Sequence, residues 1–127
     1  LLTNFLIMKN IFLAFVFIYV TSTFSYCQEK INTDDLIGYW QPDIESTNLF
    51  FWKDSKGELK MQEISQTSGK PLELISLRVN YDSIFTRVIF MPTNWVTEST
   101  YKFIDKNKLE CVLTGDGNGT LVYKKIK

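Results

Sequence analysis

The 127-residue chain has no histidine. That absence removes Ser-His-Asp and Cys-His catalysis, histidine zinc ligation and a proximal-histidine haem. Cysteine is nearly as scarce. Cys27 and Cys111 are the whole supply, too few for a disulfide framework. Positive charge is not in surplus either, with 14 Lys and Arg against 14 Asp and Glu, so the electrostatic footprint of a nucleic-acid binder is missing. Long apolar runs are absent. The longest, Ile11 to Val20, is well short of the roughly 20 residues that span a bilayer as a helix. What remains is carboxylate, hydroxyl and lysine chemistry, and the composition points away from an enzyme, a metal centre or a cofactor protein.

That apolar run has a different reading. Met8-Lys9-Asn10 supplies a start and one positive charge, Ile11 to Val20 an apolar segment, and Thr21-Ser22-Thr23 a small polar exit. This is the pattern of a signal peptide over residues 1–27. Candidate cuts follow Ser25 or Cys27, and Cys27 is alternatively a lipid-anchor site. The expected product is secreted or periplasmic, spans residues 28–127, and has no membrane-spanning segment once the signal is removed. It is about 100 residues long, one domain with enough chain to bury a core.

Beyond a single helical turn at Thr33 to Leu36, capped by Thr33 or Asp34, helical periodicity is lacking. Eight short runs rich in β-branched and aromatic residues follow instead, at 37–42, 48–53, 58–64, 72–80, 84–91, 95–104, 108–114 and 119–126. Turn chemistry sets their registers, because directly opposed residues of a hairpin point to one face. A four-residue loop at 54–57 opposes Lys53 with Glu58 and Trp52 with Leu59. The loop at 80–83 opposes Val79 with Ile84 and Leu77 with Thr86. The loop at 91–94 opposes Phe90 with Trp95, Ile89 with Val96 and Arg87 with Glu98. Asp105-Lys106-Asn107 opposes Phe103 with Leu109, with Asn107 in the left-handed region. These registers predict an inner face of Trp40, Phe50, Trp52, Leu59, Met61, Ile75, Leu77, Val79, Ile84, Val88, Phe90, Trp95, Tyr101, Phe103, Leu109, Cys111 and Leu113. Leu121 and Tyr123 join it if the last hairpin turns at 116–118. The fold expected is all-β, an eight-stranded antiparallel up-and-down barrel; the alternative is a two-sheet β-sandwich.

Gly38-x-Trp40 opens the first strand directly after the helical turn. With the eight-strand meander behind it, this motif resembles the lipocalins, and more broadly the calycin-type domains of small secreted proteins. The resemblance implies a barrel with Trp40 across its closed end, Gly38 allowing close packing, and a small apolar or amphipathic molecule inside. The family's arginine over that tryptophan has only Lys124 and Lys125 as counterparts here.

Polar side chains interrupt the inferred inner face. Thr86 and Ser99 stand opposite one another, with Thr97 and Tyr101 along the same strand. Small polar groups in an apolar lining are the usual way a pocket orients its ligand. The expected ligand-binding set is therefore Trp52, Thr86, Trp95, Thr97, Ser99 and Tyr101; the alternative is a barrel filled by its own side chains. In that case the protein is an interaction module, a secreted inhibitor or envelope assembly protein, and its partner surface is the outward set Phe85, Ile89, Met91 and Val96. Asp34-Asp35 and Asp43-x-Glu45 read as exposed carboxylates at the mouth of the barrel, Cys111 as a small core residue, and 114–119 as a glycine-rich turn. Lys125 stands where a calcium loop would need its glutamate.

Overall fold

The computed structural model describes residues 29–127; the expected leader and Cys27 fall outside them. A 3-10 turn, Thr33–Leu36, precedes eight strands: β1 Gly38–Pro42, β2 Thr47–Lys53, β3 Leu59–Ser65, β4 Glu73–Val79, β5 Ile84–Phe90, β6 Trp95–Asp105, β7 Lys108–Gly115 and β8 Gly119–Lys125. They form one antiparallel sheet in the order β3-β2-β1-β8-β7-β6-β5-β4, curled into a nearly closed barrel, not two stacked sheets. Among the described residues no helix is long and apolar enough to cross a membrane.

Three predicted hairpin registers are present as expected. Val79 pairs with Ile84 and Leu77 with Thr86. Phe90 pairs with Trp95, and Arg87 faces Glu98 with a 3.1 Å ion pair between them. Phe103 pairs with Leu109. The β2–β3 hairpin differs by one residue: Lys53 opposes Leu59 and Phe51 opposes Met61. Asp54 causes the shift. Its carboxylate accepts from the backbone N–H groups of both Lys56 and Glu58, and Gly57 turns at φ +79°. This glycine bulge takes Glu58 into the turn. One residue of slip exchanges the two faces of a strand, so β2 buries Leu49 and Phe51 and turns Phe50 and Trp52 outward. The outward pair continues a stack from Tyr39, with ring centroids 4.4 Å apart for Tyr39–Phe50 and 5.1 Å for Phe50–Trp52.

Three smaller expectations change as well. Asn32, not Thr33 or Asp34, caps the 3-10 turn, accepting from the Asp34 N–H. Asn107 lies outside the left-handed region, which Asn94 enters instead at φ +55°; the β6–β7 loop is held by Asp105 accepting from the Asn107 N–H. In β4, a register shift between Leu74 and Ser76 leaves Ile75 exposed, and Val79 is exposed at the strand end.

The closed end is built around Trp40, which is fully buried. Its indole Nε1 donates to the Leu36 carbonyl at 2.8 Å, satisfying an acceptor that the short turn leaves open. Lys125 covers the other side: its ammonium lies 5.7 Å from the Trp40 ring centroid and donates to the Asp35 carbonyl at 3.0 Å. Gly38 permits β1 to run against the chain after β8. Its φ is +130°, and a Cβ there would lie 2.0 Å from the Lys127 carbonyl oxygen.

β3 and β4 form the seam of the barrel. At one end it is pinned by the Ile64–Pro71 bridge and by the Leu72 N–H donating to the Glu63 carbonyl at 2.9 Å. Toward the closed end the strands part around a groove of about 690 Å³, whose apolar lining includes Ile31, Leu59, Leu74, Leu77 and Val79.

Candidate functional site

Alternation on β3 sets Leu59, Met61 and Glu63 on one side of the strand. The first lines the groove, and the other two are buried. Glu63 is thus a carboxyl inside the barrel, on the strand that borders the seam. Thr47, two positions before Leu49 on β2, donates to Glu63 Oε1 at 2.9 Å. The Thr47 hydroxyl also lies 3.5 Å from the Tyr123 phenol on β8. Since the single Thr47 hydrogen is given to Glu63, the phenol is the donor in this weaker contact.

From the opposite wall, β5 brings Thr86 and β6 brings Ser99 and Tyr101. Thr86 and Ser99 are direct cross-strand partners, and all three are buried. Tyr101 packs edge-on against Phe51, with centroids 6.2 Å apart, and against Tyr123 at 6.0 Å. Four buried atoms of this group, Glu63 Oε2, Thr86 Oγ1, Ser99 Oγ and Tyr101 Oη, make no hydrogen bond of ordinary geometry among the described residues, but Ser99 lies close enough to Tyr101 and Cys111 to favour the ionised form of both. Most buried polar groups in folded proteins are paired, so Glu63 Oε2 and Thr86 Oγ1, which have no such neighbour, are conspicuous.

Burial dominates the ionisation of the cluster. It raises the Glu63 carboxyl above its ordinary 4.5, against the opposing bond from Thr47. It pushes the Tyr101 phenol well up, with the Glu63 charge acting in the same direction, and raises Tyr123 too. The Cys111 thiol is pushed up to about 12, again chiefly by burial. A thiol that far above neutral pH carries almost no thiolate and is a poor nucleophile.

The structure brings together half of the ligand-binding set expected from the sequence. Thr86, Ser99 and Tyr101 meet inside the barrel, and Thr97 lies half-buried one inward position beyond Ser99. Trp52 belongs to the outer aromatic stack because of the β2 slip, and Trp95 is 57% exposed at the end of β6; neither lines the interior. Glu63 and Thr47 were outside the expected set, although the spacing Leu59-x-Met61-x-Glu63 carried the signal. The acidic pairs do not converge. Asp34 pairs with Lys53 by the 3-10 turn, while Asp43 accepts from the Val122 N–H beyond the opposite end of β1. Asp116 is engaged with the Val96 N–H at 2.8 Å. On the outer face Phe85 lies under the Arg78 guanidinium, 5.0 Å from its centre, Ile89 opposes Val96, and Met91 is exposed.

The fold and site define a small up-and-down β-barrel with a polar cluster buried in an otherwise apolar interior. No family model, curated protein or solved structure matches this chain.

Proposed function

We propose that this chain is an exported, non-enzymatic, lipocalin-like barrel that binds a small amphipathic molecule. Its polar end is received by Glu63, Thr86, Ser99 and Tyr101, and its apolar part lies against the interior side chains that the β3–β4 seam leaves accessible. The observation that carries this reading is the buried polar cluster in the barrel, in which Glu63 Oε2 and Thr86 Oγ1 have no partner. Leaving one such group unpaired typically costs about 1–3 kcal/mol, and a ligand that pairs them recovers that cost. The Gly38-x-Trp40 opening, with a lysine from the last strand over the indole, supports the family resemblance. The high thiol pKa of Cys111 and the lack of histidine support a binding role over catalysis.

Thermal unfolding against a panel of fatty acids, retinoids, indoles and short amphiphiles tests the reading. A ligand at 100 times its Kd adds about 2.7 kcal/mol to stability, a readily measured rise in Tm. Ser99→Phe is expected to abolish that rise by filling the space beside Thr86. In a packed barrel the same substitution costs about 1–3 kcal/mol by overpacking. A panel without any shift, together with a Ser99→Phe protein that is only destabilised, would sink the ligand-binding reading.

A further inference from the structure

We infer that the molecule bound in the barrel carries a protonated primary amine, held by Glu63 as its counter-ion. The inference rests on the binding role proposed above and names the chemical class of the ligand.

Glu63 is buried at 5% exposure, and its Oε2 is orphaned. Among the described residues no lysine or arginine is buried, and the cations that form ion pairs are engaged elsewhere. Lys53 pairs with Asp34, Lys60 with Asp54 and Glu58, Arg87 with Glu98, and Lys102 with Asp82. Lys125 is committed to the Asp35 carbonyl and the Trp40 ring. The interior therefore holds an acid for which the described chain supplies no base. Isolated buried carboxyls are costly, and proteins ordinarily pair them.

The rest of the cluster suits the same group. An ammonium offers three donors and no acceptor, while a carboxylate and three hydroxyls all have lone pairs to give. Glu63 Oε2 supplies the charge; Tyr101, near enough to feel that charge, supplies a neutral acceptor, and the cross-strand pair Thr86 and Ser99 supplies two more. Rings complete the environment, because Phe51, Tyr101 and Tyr123 pack edge to face around the cluster, and aromatic faces attract desolvated cations. A carboxylate ligand would meet Glu63 as a like charge. A hydrocarbon would leave Glu63 Oε2 and Thr86 Oγ1 unpaired, and an alcohol brings only one donor.

The test uses the purified protein at neutral pH and three matched series of the same carbon skeletons: primary amines, alcohols and carboxylates, each as linear alkyl and phenethyl compounds. Calorimetry and thermal unfolding should show amines binding at least tenfold more tightly than their alcohols, with no binding of the carboxylates. Glu63→Gln should erase the preference, lowering the ratio of amine to alcohol affinity at least tenfold. The wild-type comparison of amine with alcohol stands without the variant. Alcohols binding as tightly as amines would overturn the amine assignment and leave the barrel a ligand carrier. Failure of all three series, alongside a shift from some neutral member of the broader panel, would do the same. Failure of every compound in both panels, with ordered water filling the cluster in a crystal structure, would overturn the amine and the binding role together.

Discussion

At the scale of single residues, Glu63 makes stability depend on pH in a direction opposite to that of a salt-bridged acid. Its unfolded carboxyl titrates near 4.5 and its folded one higher, because burial disfavours the charge. Between those values the folded protein keeps a proton that the unfolded chain has released. Stability is therefore greatest below the unfolded value, falls as pH rises through the window, and stays at the lower level above the folded value. Urea unfolding from about pH 4 to pH 8 should show this decline in the wild type and its absence in Glu63→Gln, which should be the more stable protein at neutral pH. Gly38 is a second residue with a singular role. Gly38→Ala forces a side chain into a positive-φ conformation and against a backbone oxygen. Strain of this kind costs about 1–3 kcal/mol, to which the collision adds, and the urea midpoint should fall accordingly. Trp40→Ala should cost roughly 3–5 kcal/mol, since the indole is fully buried and also satisfies the Leu36 carbonyl.

At the scale of elements, the outcome divides by what turn chemistry alone can specify. The β4–β5, β5–β6 and β6–β7 registers were legible because their turn residues and their apolar and charged cross-strand pairs agree. Arg87 and Glu98 mark that agreement on the outer face. A double-mutant cycle on this partly exposed pair should give only about 0–1 kcal/mol, since its worth is in register rather than energy. The β2–β3 turn was not legible to the same degree. Phe50 and Trp52 are as apolar as Leu49 and Phe51, so either face of β2 satisfies a burial pattern. The choice fell to the Asp54 carboxylate and a bulge at Gly57, which shift the pairing by one residue. That shift carries Trp52 out of the expected site. Glu63 escaped for the opposite reason: strand alternation places it inward, but a carboxyl there contradicts the ordinary burial preference of charged residues. Such conflicts between pattern and chemistry are often where function lies.

At the scale of the whole molecule, the seam decides how the barrel behaves. Every strand except β3 and β4 has a hydrogen-bonded ladder on both sides, and those two share an isolated bridge and a few loop bonds. Backbone amides of β4 that point toward β3 should exchange with solvent faster than those of β6 and β7 in a native-state hydrogen-exchange experiment. A ligand seated in the barrel should slow that exchange, since it binds the closed form. The rigid wall, β5 to β8, carries Thr86, Ser99 and Tyr101, whereas Glu63 is on the strand at the free edge.

The β1–β8 ladder has a consequence for the order of folding. The other six ladders of the meander join strands consecutive in sequence, so each can zip from a local turn. The contact of Trp40 with Lys125 and of Gln41 with Lys124 instead requires closing a loop of about 80 residues. The entropic cost of closure grows with loop length and must be met before this ladder returns any stabilisation. The two hairpin arms should therefore assemble first, and the tryptophan end should lock last, after the rate-limiting barrier. Gly38→Ala should then accelerate unfolding and leave the refolding rate nearly unchanged, while a substitution such as Val88→Ala in the rigid wall should slow refolding. Stopped-flow chevrons of the two variants distinguish this sequence of events from one in which the two termini meet early.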